Sequence, residues 1–354
     1  MYIDPFCPYG HINFNKTYVN ALLRYDKIEV HLALKEGYIH ELGLPLELLR
    51  LSIPTRLFVD RKNSAVNRLS LLLIYWYVRY KLHLRDYDYI FLSGYEEISF
   101  FFSGFKGKIF LVNHNNVANL DNFIKRLFIK NISKKCVQVV FSDFIRKRYL
   151  LFGIKNVLVL SQGLPEPYYL SDAHSGLLLN KNSKLLPKEF NLIIFVPSGS
   201  KYDSGFLKTL IADSHFIDFL KTHKILLAIK SDLSFPPNAN LLIIEEPLET
   251  EHYISIFLNC DVVLLIYPES FKFRVSALLL ECFSNNKMCL LSNIESFRTF
   301  APYFKYNPFF DSARELESAI ETAMSIKGKK EVYYHNLEEF KITFDALFNN
   351  DIFD

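Results

Sequence analysis

Along most of the chain, short continuous apolar runs alternate with stretches whose apolar residues recur every third or fourth position. The runs predict strands buried on both faces of a parallel sheet, and the periodic stretches predict helices packed on it. In the first half, strands are predicted at 2–4, 28–34, 89–92, 108–112, 136–141 and 156–160. Helical spacing falls at 16–25, 63–83 and 123–135, and again between the N-cap candidates Ser142 and Asp143 and the stop at Gly153. The second half repeats the pattern, with strands at 192–196, 224–229, 241–244 and 262–266 and helices ending at Asn259 and spanning 311–326 and 332–348. This is a doubly wound α/β sheet made twice. Residues 168–189, polar and rich in Ser, Asn and Lys, read as the linker. The predicted layout is a first domain over 1–170, a linker over 171–190, a second domain over 191–330 and a terminal helix over 331–354.

Composition agrees with two cores. The chain has 354 residues, 50% hydrophobic and 22% charged, which is globular rather than disordered and long enough for two domains. Apolar residues cover nearly the whole circumference of the 63–83 helix, favouring burial between layers over membrane contact. The most apolar run, 69–78, is bounded by Arg68 and Arg79 and is too short to cross a bilayer. No secretory leader is expected, since Met1 leads directly into a strand. Five scattered cysteines, mostly inside apolar runs, read as buried thiols in a reducing compartment, without metal-ligand spacing. Charge is uneven: residues 1–170 carry a net +9 and the remainder a net −6. A basic first half suits an anionic partner such as a phospholipid surface or a lipid-linked pyrophosphate. Nucleic acid is not expected, because no recognisable nucleic-acid module accompanies the basic residues.

The chemistry centres on 261–291, read as strand, loop, helix, strand. Pro268 ends the strand, and Val275, Leu278, Leu279 and Cys282 recur at helical spacing, so Arg274 and Ser276 fall in the first helical turn and Glu281 further along. Free N–H groups at a helix N-terminus, a serine hydroxyl and an arginine fork suit phosphate oxygens. A carboxylate farther down can accept hydrogen bonds from paired ribose hydroxyls.

This segment resembles the nucleotide-sugar half of glycosyltransferases with the GT-B fold, of the broad group that builds bacterial capsules, O-antigens and other surface glycans. The resemblance implies two Rossmann-like doubly wound domains facing across a cleft, with the last helix crossing back to the first domain. It also implies that Arg274 and Ser276 face the donor diphosphate and that Glu281 binds the ribose. The family's earlier glutamate position is Phe273 here, and Glu269 is the candidate to replace it. In the loop after the 192–196 strand, Gly199, Ser200 and Lys201 stand where the family clamps the diphosphate, Lys201 substituting for the family's cations or serving only as a surface lysine. Pro247 and Leu248 correspond to backbone contacts near the base and ribose.

In the first domain, His11 follows the first strand as a candidate contact or base, or as a loop histidine without chemical role. Glu96 and Glu97 leave a later strand, where a carboxylate can deprotonate an acceptor. His114 follows the next one, where a histidine in the resembling families faces the donor sugar. The Asp86–Tyr87–Asp88 triplet precedes a strand rather than following one, so it is not read as a metal site. The basic faces at 123–135 and 146–148 read either as solvated surface or as docking surface for anionic lipid.

The implied activity is metal-independent transfer of a sugar from a nucleotide donor, bound as substrate and with no cofactor, to a lipid-linked or growing polysaccharide acceptor. The expected location is the cytoplasm, peripheral to the inner face of the plasma membrane. Retention and inversion both stay open, and the rival readings are a sugar-nucleotide epimerase and a non-catalytic membrane-associated assembly protein.

Overall fold

The computed structural model describes residues 1–6, 12–26, 28–59, 64–168, 186–187, 189–198, 203–233, 235–245 and 248–344. The chain divides into two compact units, residues 1–165 with 340–354, and residues 166–339.

The first unit holds strands β1 (Tyr2–Ile3), β2 (Leu32–Lys35), β3 (Leu49–Ile53), β4 (Ile90–Leu92), β5 (Ile109–Val112), β6 (Cys136–Val140) and β7 (Val157–Val159). They form one sheet in the order β3-β2-β1-β4-β5-β6-β7, every pairing parallel. Its helices are α1 (Ile12–Leu23), α2 (Tyr38–Leu42), α3 (Ser64–Lys81), α4 (Glu97–Phe101), α5 (Phe123–Ile132) and α6 (Asp143–Leu151). Side chains alternate along each strand between two cores. Tyr2, Phe91, Phe110 and Val112 join α1 and α2 on one face, while Ile3, Ile90, Leu92, Ile109 and Leu111 join α3, α4 and α5 on the other.

The second unit holds β8 (Leu192–Val196), β9 (Ile225–Lys230), β10 (Leu241–Ile244), β11 (Val262–Leu265), β12 (Met288–Ser292) and β13 (Phe309–Phe310). Their order is β10-β9-β8-β11-β12-β13, again all parallel. Counted within the unit this is 3-2-1-4-5-6, the Rossmann order, and the first six strands of the first unit repeat it. The helices are α7 (Ser204–Ala212), α8 (Ser214–Thr222), α9 (Thr250–Asn259), α10 (Ala277–Ser284), α11 (Glu295–Arg298) and α12 (Ala313–Ile326).

Short elements such as α2 and β13 were not expected, and three further differences have a physical reason. Strand β3 has no continuous apolar run because it lies at the sheet edge and is only half buried, with Arg50 and Ser52 turned outward. Strand β2 begins at Leu32 rather than at residue 28. The terminal helix expected at 332–348 is absent from its described part, 332–344: Asn336 takes a left-handed φ of 54°, and short 3₁₀ turns lie to either side of it. Past Phe340 the chain buries every second residue, Phe340, Ile342 and Phe344, in strand-like fashion, and the last two sit in the core of the first unit beside α1 and α2.

Candidate functional site

Strands β8 and β11 pair in parallel at the point where the strand order of the second sheet reverses. Loops leaving the C-terminal ends of such a pair diverge to opposite sides and open a crevice, the usual ligand position in this kind of sheet. Here the chain leaving β8 is described as far as Ser198 and again from Asp203, the chain leaving β11 runs through 266–276, and the two are tied where the Asp203 amide donates to the Ile266 carbonyl at 2.8 Å. Each loop ends in a capped helix. The Asp203 carboxylate accepts the Phe206 amide at 2.9 Å to start α7, and the Ser276 hydroxyl accepts the Leu279 amide at 3.3 Å to start α10. A one-residue cap leaves other N–H groups of the first helical turn without an intrahelical partner, and the helix dipole makes that end favourable for an anion.

An aromatic platform shapes the second loop. Tyr267 and Phe271 stack with centroids 4.1 Å apart, the Tyr267 hydroxyl meets Ser276 Oγ at 3.1 Å, and the Arg274 guanidinium lies 5.6 Å from the centre of the Phe271 ring. Arg274 Nε is buried and has no hydrogen-bond partner among the described residues, and Ser198 Oγ in the first loop is in the same condition. Buried polar atoms are nearly always paired in folded proteins, so two orphans following the strands that flank one switch point make it the candidate ligand site.

Glu281 follows Ser276 by five residues, which is about 7 Å along the α10 axis. Its carboxylate accepts from the Tyr253 hydroxyl of α9 at 3.1 Å and from the Tyr168 hydroxyl. Burial, and then the Glu281 charge, raise the Tyr168 pKa well above the ordinary phenol value, so Tyr168 is a donor at all working pH. Tyr168 is further fixed by its backbone amide, which donates to Asn285 Oδ1 at 2.8 Å, and by its edge contact with Phe257.

Arg274 and Ser276 are thus brought together on the Tyr267–Phe271 platform, with Glu281 down the same helix. Glu269 is exposed in a 3₁₀ turn and pairs with Lys272 at 3.3 Å. Leu248 is half buried two residues before α9. His11, Gly199, Ser200, Lys201 and Pro247 lie outside the described residues.

In the first unit, His114 stands at the C-terminal end of β5, its ring packed edge-on against Phe14 at 4.8 Å and tilted against Phe141 at 5.4 Å. Its Nε2–H donates to the Ser93 carbonyl at 2.7 Å, which fixes the orientation of the ring. Glu96 is structurally engaged. One oxygen pairs with Arg68 at 2.9 Å, and the other caps α4 by accepting the Ser99 amide and hydroxyl at 2.8 and 2.7 Å. Glu97 is buried against Lys125 at 3.0 Å and accepts from Asn116 and Asn119.

Sequence reasoning missed Tyr267, Tyr253, Tyr168 and Ser198. The one available signal was position: Tyr267 and Ser198 each follow the end of a strand flanking the switch point.

No protein-family model matches the sequence, and no curated protein does. Two parallel sheets of seven and six strands with helices on their faces make this the GT-B fold. Among solved structures, a UDP-GlcNAc 2-epimerase from Neisseria meningitidis aligns with a TM-score of 0.61 over 99% of both chains at 9% identity. A glycosyltransferase from Rickettsia africae aligns at 0.57, covering 99% of this chain and 95% of its own at 14% identity. A trehalose-phosphate synthase from Burkholderia xenovorans, solved with glucose-6-phosphate, aligns at 0.53 over 90% and 79% at 11% identity.

Proposed function

We propose that the chain transfers a sugar from a nucleotide donor to a lipid-linked or growing polysaccharide acceptor in surface-glycan synthesis. The observation that carries this reading is the buried, partnerless Nε of Arg274 beside the Ser276-capped N-terminus of α10. Negative charge grows on the diphosphate as the glycosidic bond breaks. A guanidinium, a serine hydroxyl and helix N–H groups fixed at that position oppose the charge more strongly in the transition state than in the ground state, which is the condition for catalysis. The protein supplies the positive charge, so no divalent cation is required. Tyr267 donates to Ser276 Oγ in this reading, leaving the serine proton for a phosphate oxygen.

Glu281 takes the ribose, exchanging phenol donors for ribose hydroxyls. Gly199, Ser200 and Lys201 are assigned to the diphosphate, Pro247 and Leu248 to the base, and His114 to the transferred sugar. The protein works in the cytoplasm, with its basic first unit against the inner face of the plasma membrane. Support for a nucleotide-sugar donor comes from the neighbours, since the Neisseria epimerase was solved with UDP-GlcNAc.

That epimerase also favours a second reading, because it matches over the full length of both chains. An epimerase returns the sugar on its nucleotide, whereas a transferase releases the nucleotide only with an acceptor. The first experiment is the thermal midpoint against UDP, GDP, CMP, ADP and dTDP. One nucleotide is expected to raise it, as any ligand of the native state does, and Arg274→Ala to remove the rise. No shift from any of them at millimolar concentration would sink both enzyme readings and favour an assembly protein.

A further inference from the structure

The outer helices of the first unit do not turn a polar surface to water. Helix α3 buries Leu71, Ile74, Tyr75 and Val78 in the sheet's core, yet Val66, Leu69, Leu73, Trp76 and Tyr80 are exposed, Leu69 by 56% and Tyr80 by 84%. Their alternating spacing of three and four keeps them on one stripe. The apolar surface continues onto the neighbouring helices. The Trp76 indole donates to the Phe102 carbonyl at 3.3 Å, and the rings of Phe101 and Phe102 meet Phe128 of α5 at 5.0 and 6.0 Å. Beyond them, Phe123, Ile124 and Leu127 of α5 are exposed. A contiguous apolar surface on adjacent helices marks an interaction site.

Charge selects the partner. Neither α3 nor α5 contains an acidic residue, and Glu96, which caps the intervening α4, and Glu97 within it are taken by Arg68 and Lys125. At the C-terminal end of α3 lies a cavity of about 360 Å³ lined by Arg79, His83, Arg85, Asp86 and Lys106 among others. Arg79 is fixed at its rim by donating to the Ser103 carbonyl at 3.3 Å, and the adjoining Gly104, at φ 69°, leaves room that a side chain would take from the guanidinium.

We propose that this face docks the protein on an anionic phospholipid surface, the α3 stripe entering the acyl boundary and the Arg79–Arg85–Lys106 cavity taking a lipid phosphate. The inference gives the membrane contact of the preceding section its residues, and it does not depend on which sugar is moved. Apolar residues at the interface with cations at the head groups is the composition that such binding needs. A second copy of the chain is the poorer occupant, because pairing two such faces opposes cations with cations.

Trp76 is the only tryptophan in the chain and stands on this face, so its emission reports docking directly. Vesicles of phosphatidylcholine mixed with phosphatidylglycerol are expected to shift the emission to shorter wavelength and to sediment the full-length protein, and phosphatidylcholine alone to do neither. Leu73→Glu abolishes both effects. Arg85→Gln combined with Lys106→Gln weakens binding about 30-fold. All three positions are exposed, so the unfolding midpoints of both variants stay unchanged. An unshifted spectrum with anionic vesicles overturns the proposal, as does a solution dimer that Leu73→Glu splits. Equal binding to both kinds of vesicle overturns it as well, and undiminished binding by the double variant removes the phosphate cavity from it. Fluorescence and nucleotide binding are separate readouts, so failure of the transferase reading is distinguishable from failure of this one.

Discussion

Arg274 has a ring beneath its guanidinium and a buried Nε–H with no acceptor among the described residues. A donor in that condition destabilises the unliganded protein and strengthens the liganded one, because a phosphate oxygen supplies the missing bond. Arg274→Ala is therefore expected to leave the unliganded thermal midpoint unchanged or slightly raised, and to weaken nucleotide binding by about 1.5–3 kcal/mol, the range for a hydrogen bond to a charged group. A lowered midpoint without ligand would make Arg274 a structural residue. Glu281 is the opposite case, since its carboxylate is already engaged by Tyr253 and Tyr168. Tyr253→Phe is expected to lower the unfolding free energy by about 1–3 kcal/mol in denaturant while nucleotide affinity stays the same or improves, because ribose no longer competes with that phenol. Glu281→Gln is expected to weaken both. Arg274, Ser276 and Glu281 were legible in the sequence because one helix carries or adjoins all three. Their partners were not: Tyr253 precedes Glu281 by 28 positions and Tyr168 by more than a hundred, and only the folded sheet brings them close. Glu96 shows the converse, since its location at a strand end was readable while its engagement by Arg68, also 28 positions away, was not.

Elements were easiest to read where burial is complete. Strands β5, β8 and β11 are central in their sheets, wholly buried, and appear in the sequence as unbroken apolar runs, while β6 is interrupted by the buried Gln138 and β12 ends on Ser292. Edge strand β3 alternates between core and solvent, so its five residues carry no such run. The tail at 340–344 misled for a related reason. Phe340, Ile342 and Phe344 are spaced for a strand, but the Leu and Phe positions before and after them also admit a helical period. Phe344 is fully buried, with ring contacts to Tyr18, Tyr25 and Phe91, and its amide donates to the Tyr25 hydroxyl at 2.7 Å. Phe344→Ala is expected to cost about 3–5 kcal/mol of unfolding free energy, and Tyr25→Phe about 1 kcal/mol, measured by chemical denaturation. If both are silent, the tail does not contribute to the first unit's core.

At the scale of the whole molecule, one strand order serves two units of opposite charge. The acidic unit carries the orphaned Arg274 and Ser198 at its switch point, so the anion site proposed there is a local exception to its charge. The basic unit carries the exposed apolar helices. Such a division is understandable if the two units serve different partners, a nucleotide in one case and an acceptor assembled on a membrane in the other. An epimerase has no need of the second partner, since its substrate and product are both soluble sugar nucleotides. The discriminating quantity is therefore how donor turnover depends on acceptor and on surface. For a transferase, nucleotide release from the donor identified by thermal shift is slow in buffer and rises when membranes carrying lipid-linked glycan are added. Leu73→Glu is expected to lose most of that rise while keeping the nucleotide-induced thermal shift, because it alters only the α3 stripe. Conversion of the sugar on its nucleotide in buffer alone, unaffected by Leu73→Glu, would assign the chain to the epimerases despite its basic first unit.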